Sequence, residues 1–249
     1  MNRTTLTAAC ILMLGTTACL DATRGMGEMG HVRYSLYTEY DPGYGEITDT
    51  PILTNHEQSL YLALSDRGER VANDLGSVSH SVSPSEGVTL VYDYDDDELE
   101  ELDITVTQPG VYTITTEVDG AVFDYITLEF EAPTSLDAVT WIRSPGEDEF
   151  VEPAVAQPTV DEGAQITFVG IPLNVDGDRI AGRFDVSVSA DPEGSVVEAY
   201  DVWESYEDYV WSSPTEASVY FIETGEITLT VTDEANGVDF EQTFDVAAW

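Results

Sequence analysis

The chain has 249 residues and a net charge of −41, with 49 carboxylates against eight basic residues, all of them arginine. A surface this negative repels phosphate backbones and anionic headgroups, which excludes nucleic-acid binding and electrostatic membrane binding. Without lysine there is no Schiff-base chemistry and no phosphate-binding P-loop. Hydrophobic residues make up 42% and aromatics 10%, enough for packed cores.

Residues 1–18 read as an export signal. Arg3 supplies the positive end, and Leu6–Gly15 is a short apolar core, well under the ~18 residues that span a bilayer. Thr16, Thr17 and Ala18 then lead into Cys19. Small residues ending in Ala-Cys resemble the lipobox of bacterial lipoproteins, although Thr16 stands where leucine is usual. That resemblance implies that Cys19 is acylated and holds the chain to a lipid bilayer. Leu20 follows in place of the aspartate that retains such proteins at the inner membrane, which favours the outer membrane or cell surface. The other cysteine, Cys10, lies inside the apolar core, so cleavage before Cys19 leaves no intramolecular disulfide and no cysteine-based metal site. Residues 19–30, with three glycines, read as the lipidated cysteine and a flexible tether of roughly 18 Å reach.

From His31 onward the period is two. Strands are predicted at Leu60–Leu64, Val78–Val82, Thr89–Tyr92, Val111–Glu117 and Tyr125–Glu131. A second set is predicted at Gln165–Val169, Phe184–Ser189, Ser218–Phe221, Glu226–Thr232 and Phe240–Val246. Turn residues break the runs at short intervals, and no long stretch keeps helical spacing. The fold class is therefore all-β, of the sandwich type.

The chain also repeats itself. Pro109–Gly120 (PGVYTITTEVDG) parallels Thr224–Gly237 (TGEITLTVTDEANG), and Val78–Gly87 (VSHSVSPSEG) parallels Val186–Gly194 (VSVSADPEG). Two tandem modules follow, 31–132 and 133–249. Asp191–Trp203 and the Thr224–Gly237 hairpin resemble segments of PKD modules, which are immunoglobulin-like sandwiches. Where that family has its DFGDG turn, this chain has Glu204–Asp208. The resemblance implies an extracellular spacer or adhesion module.

Two segments carry candidate sites. Asp93–Asp103 holds eight carboxylates in eleven residues. It is read as a solvated loop, with a weak calcium site through Asp93, Asp95, Asp96 and Asp97 as the alternative. Trp203, Tyr206, Tyr209 and Trp211, with Tyr200, crowd the stretch 200–211. The rings are read as core and sheet-edge packing, with stacking on a carbohydrate as the alternative. Tyr34, Tyr37, Tyr40 and Tyr44 pose the same choice near the start. Asn174–Asp178 resembles part of a calcium loop, but the flanking Pro172 and Arg183 cannot serve as ligands, so it is read as a turn. His31, His56 and His80 lack metal-ligand spacing, and no serine lies in a G-x-S-x-G turn. No cofactor is expected beyond weakly bound Ca²⁺. The expectation is a non-catalytic, membrane-anchored lipoprotein of the cell envelope, acting as a spacer or interaction module toward an envelope protein or glycan. Carbohydrate binding through 200–211 is the alternative.

Overall fold

The computed structural model describes residues 25–38, 43–46, 50–66, 69–70, 77–94, 100–147, 149–199 and 216–249. Among these there are eighteen strands and no helix. The first module contains β1 (Val32–Thr38), β2 (Gly43–Glu46), β3 (Ile52–Leu53), β4 (Glu57–Asp66), β5 (Glu69–Arg70), β6 (Val78–Ser83), β7 (Val88–Tyr94), β8 (Glu100–Val106), β9 (Gly110–Val118) and β10 (Ala121–Glu131). The second contains β11 (Ser135–Arg143), β12 (Thr159–Asp161), β13 (Gln165–Leu173), β14 (Ser187–Asp191), β15 (Val196–Glu198), β16 (Glu216–Phe221), β17 (Gly225–Asp233) and β18 (Val238–Ala247).

Each module is a two-sheet sandwich, and the connectivity is the same in both. In the first, β1-β4-β8-β7 faces β3-β10-β9-β6; in the second, β11-β13-β16-β15 faces β12-β18-β17-β14. In each, a short strand pairs in parallel with the module's last strand, β3 with β10 and β12 with β18. The first module adds β2 beside β1 and β5 beside β4. The sequence repeat is a repeat of register. Ser83 pairs with Thr113 and Ser79 with Glu117, and the same sheet positions in the second module pair Asp191 with Thr228 and Ser187 with Thr232. Both Ser83–Pro84 and Asp191–Pro192 are cis. The chain is thus a tandem pair of immunoglobulin-like β-sandwiches.

Alternation fills the two cores. In β9, Tyr112, Ile114 and Thr116 point inward, and in β17, Ile227, Leu229, Val231 and Asp233 do so. Phe168, Phe221 and Phe244 pack edge-on or tilted in the second core. In the first, the Tyr112 hydroxyl donates to the carbonyl of Gln108 at 2.8 Å. This ties the start of β9 to the preceding corner, as tyrosines do in other immunoglobulin-like sandwiches.

Three sequence expectations need correction. The acidic run is not one loop: Asp93 lies in β7 opposite Glu101, and Glu100–Val106 is the strand β8, between β4 and β7. Leu102, Ile104 and Val106 are fully buried there, so alternate apolar residues impose a strand in spite of the carboxylates between them. In the second module the predicted strand at Phe184 begins only at Ser187, because Phe184 turns into the core ahead of it. Finally, Gly25–Gly30 is fastened to the first module and does not act as tether. The amide of Gly27 donates to the carbonyl of Val32, that of Glu28 to Tyr125, and that of Tyr34 to Gly25.

Candidate functional site: the module junction and its buried polar groups

The calcium and stacking candidates lie almost wholly outside the described residues. This applies to Cys19, to Asp95, Asp96 and Asp97, and to Trp203, Tyr206, Tyr209 and Trp211. Only the backbone of Asp93 is described, at the end of β7. Among the described residues no three His, Cys, Asp or Glu side chains are grouped to hold a metal ion, and no helix is long and apolar enough to cross a membrane. Asn174–Asp178 is a turn: the Asn174 side-chain oxygen accepts from the amides of Asp176 and Asp178, at 3.0 and 2.9 Å. Tyr34 is a fully buried core residue. A shallow cleft of about 400 Å³ beside β11, lined by Ala138, Thr140, Pro153, Val155 and Phe240, offers a single carboxylate, Glu152.

What the fold does assemble is a junction. Ile52 sits in the first core, while the next residue, Leu53, is fully buried in the second. The segment carrying them is clasped by backbone bonds. The amide of Leu53 donates to Ala181 and the amide of Ala181 to Pro51, both at 2.8 Å. Ala181 in turn packs on the first core. Strand β3 therefore belongs to both modules.

Polar side chains complete the clasp. Gln58 is fully buried, donates to the carbonyl of Arg183 at 2.9 Å and accepts from the Arg183 amide at 2.8 Å. Its amide thus fills a backbone-like pairing site. Gly182 lies so close that a Cβ there would meet the Gln58 oxygen at 2.5 Å. His56 Nε2 lies 2.9 Å from Asp233 Oδ1, and Asn236 donates to the other Asp233 oxygen at 2.8 Å. Asn55 donates to Asn236 at 2.8 Å, and Asn174 to Glu131 at 3.2 Å. Burial pushes the Asp233 pKa up, but the hydrogen bonds from His56 and Asn236 and the adjoining imidazole charge outweigh it, leaving the carboxyl below its usual range. A depressed carboxyl pKa stabilises above the unfolded value and loses that contribution as pH falls through the folded one. The junction is thus strongest with Asp233 ionised.

Two further buried polar groups lie inside the first module. Asp124, at a bulge in β10, accepts the amides of Met29 and Tyr125 on one carboxylate oxygen, both at 2.8 Å. The amides of His31 and Val32 reach the other oxygen at 2.7 Å. Gly27 passes so close that any Cβ would overlap this carboxylate. Deeper in, the Thr116 hydroxyl joins the Tyr34 hydroxyl at 3.0 Å and His80 Nδ1 at 3.1 Å. Burial raises the Tyr34 pKa to about 12 and lowers that of His80 to about 4.

Sequence reasoning passed over Asp124, Gln58 and Asp233. The partners that make them structural lie 92 to 95 residues from Asp124, 125 from Gln58 and 177 from Asp233, beyond the reach of a local reading.

No protein-family model matches the chain, and no curated protein sequence matches it. Solved structures do. The Escherichia coli adhesin FdeC is 14% identical over 87% of this chain and 64% of that one, with a TM-score of 0.31. Domains 4 and 5 of the S-layer protein SbsC are 14% identical over 86% and 98%, with a TM-score of 0.30. The Yersinia pseudotuberculosis adhesin InvE is 15% identical over 88% and 61%, with a TM-score of 0.30. The present chain therefore spans less than two thirds of both adhesin chains.

Proposed function

We propose that this chain is a non-catalytic, lipid-anchored spacer of the cell envelope, in which two PKD-like sandwiches project as one rigid body and present their surfaces to an envelope partner. The observation that carries the reading is the junction. A core residue donated across it, a backbone clasp and two buried side-chain locks are what a stiff spacer requires, whereas a hinge between independent domains would have a small polar interface. The non-catalytic part rests on where the buried titratable groups are spent. Asp124 ties Met29–Val32 to β10, Asp233 locks the junction, and Tyr34 and His80 share one threonine in a sandwich core. The anchor rests on the lipobox-like approach to Cys19. Only five residues, Leu20–Arg24, separate Cys19 from Gly25, whose carbonyl accepts the Tyr34 amide of the first module, which sets a maximum reach of about 20 Å. The module starts close to the bilayer.

Membrane extraction followed by mass spectrometry of the mature N-terminus tests the anchor. The expected product is a chain starting at an acylated Cys19, with Cys19→Ala unprocessed or released from the membrane. A mature, unlipidated protein that retains Leu6–Cys19 contradicts the reading.

A further inference from the structure

We propose that Asn236 is a site of self-modification gated by the module junction: it converts to aspartate or isoaspartate when the junction opens, and the converted chain no longer closes it. Asn236–Gly237 is the only Asn-Gly pair in the sequence. Such a pair cyclises readily, because glycine has no Cβ to keep its nitrogen away from the preceding side chain. The Gly237 nitrogen bonds to Asn236 Cγ, the Cγ–Nδ2 bond breaks, and the Gly237 amide proton goes to the departing nitrogen, which leaves as ammonia. Water then cleaves one of the two ring C–N bonds, its hydroxyl going to the carbonyl carbon and its proton to the nitrogen. Cleavage at Cγ leaves aspartate, and cleavage at the backbone carbonyl leaves isoaspartate. Ala235 and Gly237 are exposed, so water reaches the pair.

The closed junction holds the two reacting groups apart. The Gly237 amide donates to the Asp233 carbonyl at 2.8 Å. Asn236 Nδ2 donates to Asp233 Oδ2 at 2.8 Å and to the Thr54 carbonyl at 3.3 Å, while Asn236 Oδ1 accepts from Asn55 at 2.8 Å. Thr54 and Asn55 lie between β3 and β4, on the first module's side, so these two restraints last only while the modules are docked. After conversion the same position fails as a lock. A carboxylate has no proton to give Asp233 or Thr54, and it faces the ionised Asp233 as a like charge at close range. Isoaspartate also lengthens the backbone just ahead of β18. The hairpin itself accepts the acid, since the corresponding turn of the first module carries Asp119 before Gly120. The damage therefore falls on the junction. The inference rests on the closed junction of the reading above and not on lipidation.

The test follows Asn236 by peptide mapping and mass spectrometry while the full chain is held in mildly alkaline buffer. Conversion in the folded chain should be at least about tenfold slower than in the same chain unfolded in urea, the ratio being set by how rarely the junction opens. Asn55→Gly should speed conversion in the folded chain severalfold, and it leaves the backbone unstrained because Asn55 has a φ of 65°. Asn236→Asp, made directly, should broaden the distance distribution between spin labels at Glu129→Cys on β10 and Glu241→Cys on β18, in a chain otherwise free of cysteine. Equal conversion in the folded and unfolded chain, or no change of rate in Asn55→Gly, overturns the gating. A distribution that is narrow with Asn236 and equally narrow in Asn236→Asp overturns the loss of the lock and leaves the rigid spacer standing. A distribution already broad with Asn236 intact removes the closed junction, and this proposal with it.

Discussion

Replacing Asp124 with alanine is expected to destabilise the first module by about 3–4 kcal/mol, the scale for stranding the partners of a buried charge. The substitution leaves the amides of Met29, His31, Val32 and Tyr125 without their acceptor, around a carboxylate that is itself fully buried. It also loosens Gly25–His31, which is then held to β10 by the bond from the Glu28 amide to the Tyr125 carbonyl. Asp124→Asn should be nearly as damaging, although it keeps the shape. Each carboxylate oxygen accepts two amides, so whichever side receives the NH₂ group sets donors against donors. Thermal unfolding should show a fall on the order of 10–20 °C for either variant. Protease should cut the freed segment near Gly25–Gly30 before the sandwich unfolds. If Asp124→Asn melts like the wild type, the carboxylate is not the clamp described here.

The second large effect is pH-dependent. Burial holds the His80 pKa at about 4 against 6.5 in the unfolded chain. Between those values the unfolded state binds the extra proton, so stability rises with pH across this window. The contribution is complete above pH 6.5 and is lost as pH falls toward 4. Its full size is up to roughly 3 kcal/mol, from 1.36 kcal/mol per pKa unit. His80 Nε2 is buried without a hydrogen-bond partner, which adds to the cost of keeping the ring there. At the equivalent position of β14 the second module carries Val188. His80→Val is therefore expected to stabilise the first module and to flatten the denaturation profile between pH 6.5 and about 5, above the range where ordinary carboxylates titrate. A profile as steep in the variant as in the wild type contradicts this.

The sandwich architecture was legible because its best strands alternate without interruption. The hairpin β9–β10 and its counterpart β17–β18 have apolar and threonine residues two apart and glycine at the turn, which leaves one solution. The repeat was legible for the same reason, although β14 starts at Ser187 and not at Phe184. Strand β8 was not, because Glu100, Glu101 and Asp103 outweigh Leu102 and Ile104 in any local reading, and only the neighbouring strands β4 and β7 decide between loop and strand. The junction was illegible in principle. Nothing about Leu53 says that it fills the core of the other module, and His56 meets Asp233 across 177 residues. In a chain with 49 carboxylates, Asp124 and Asp233 look like all the others until their partners are known.

The central claim is that the two sandwiches move as one body. Spin labels at Glu129→Cys on β10 and Glu241→Cys on β18, both exposed outer-face positions, give the distance between modules directly in a chain carrying Cys10→Ala and Cys19→Ala, which leaves no other cysteine. The account predicts a single narrow distance distribution that is unchanged between low and molar salt. It also predicts that the distribution broadens in Leu53→Ala, which empties a buried site in the second core at a cost of about 3 kcal/mol. A broad or multiple distribution in the protein with Leu53 intact would show two modules on a free hinge and contradict the claim.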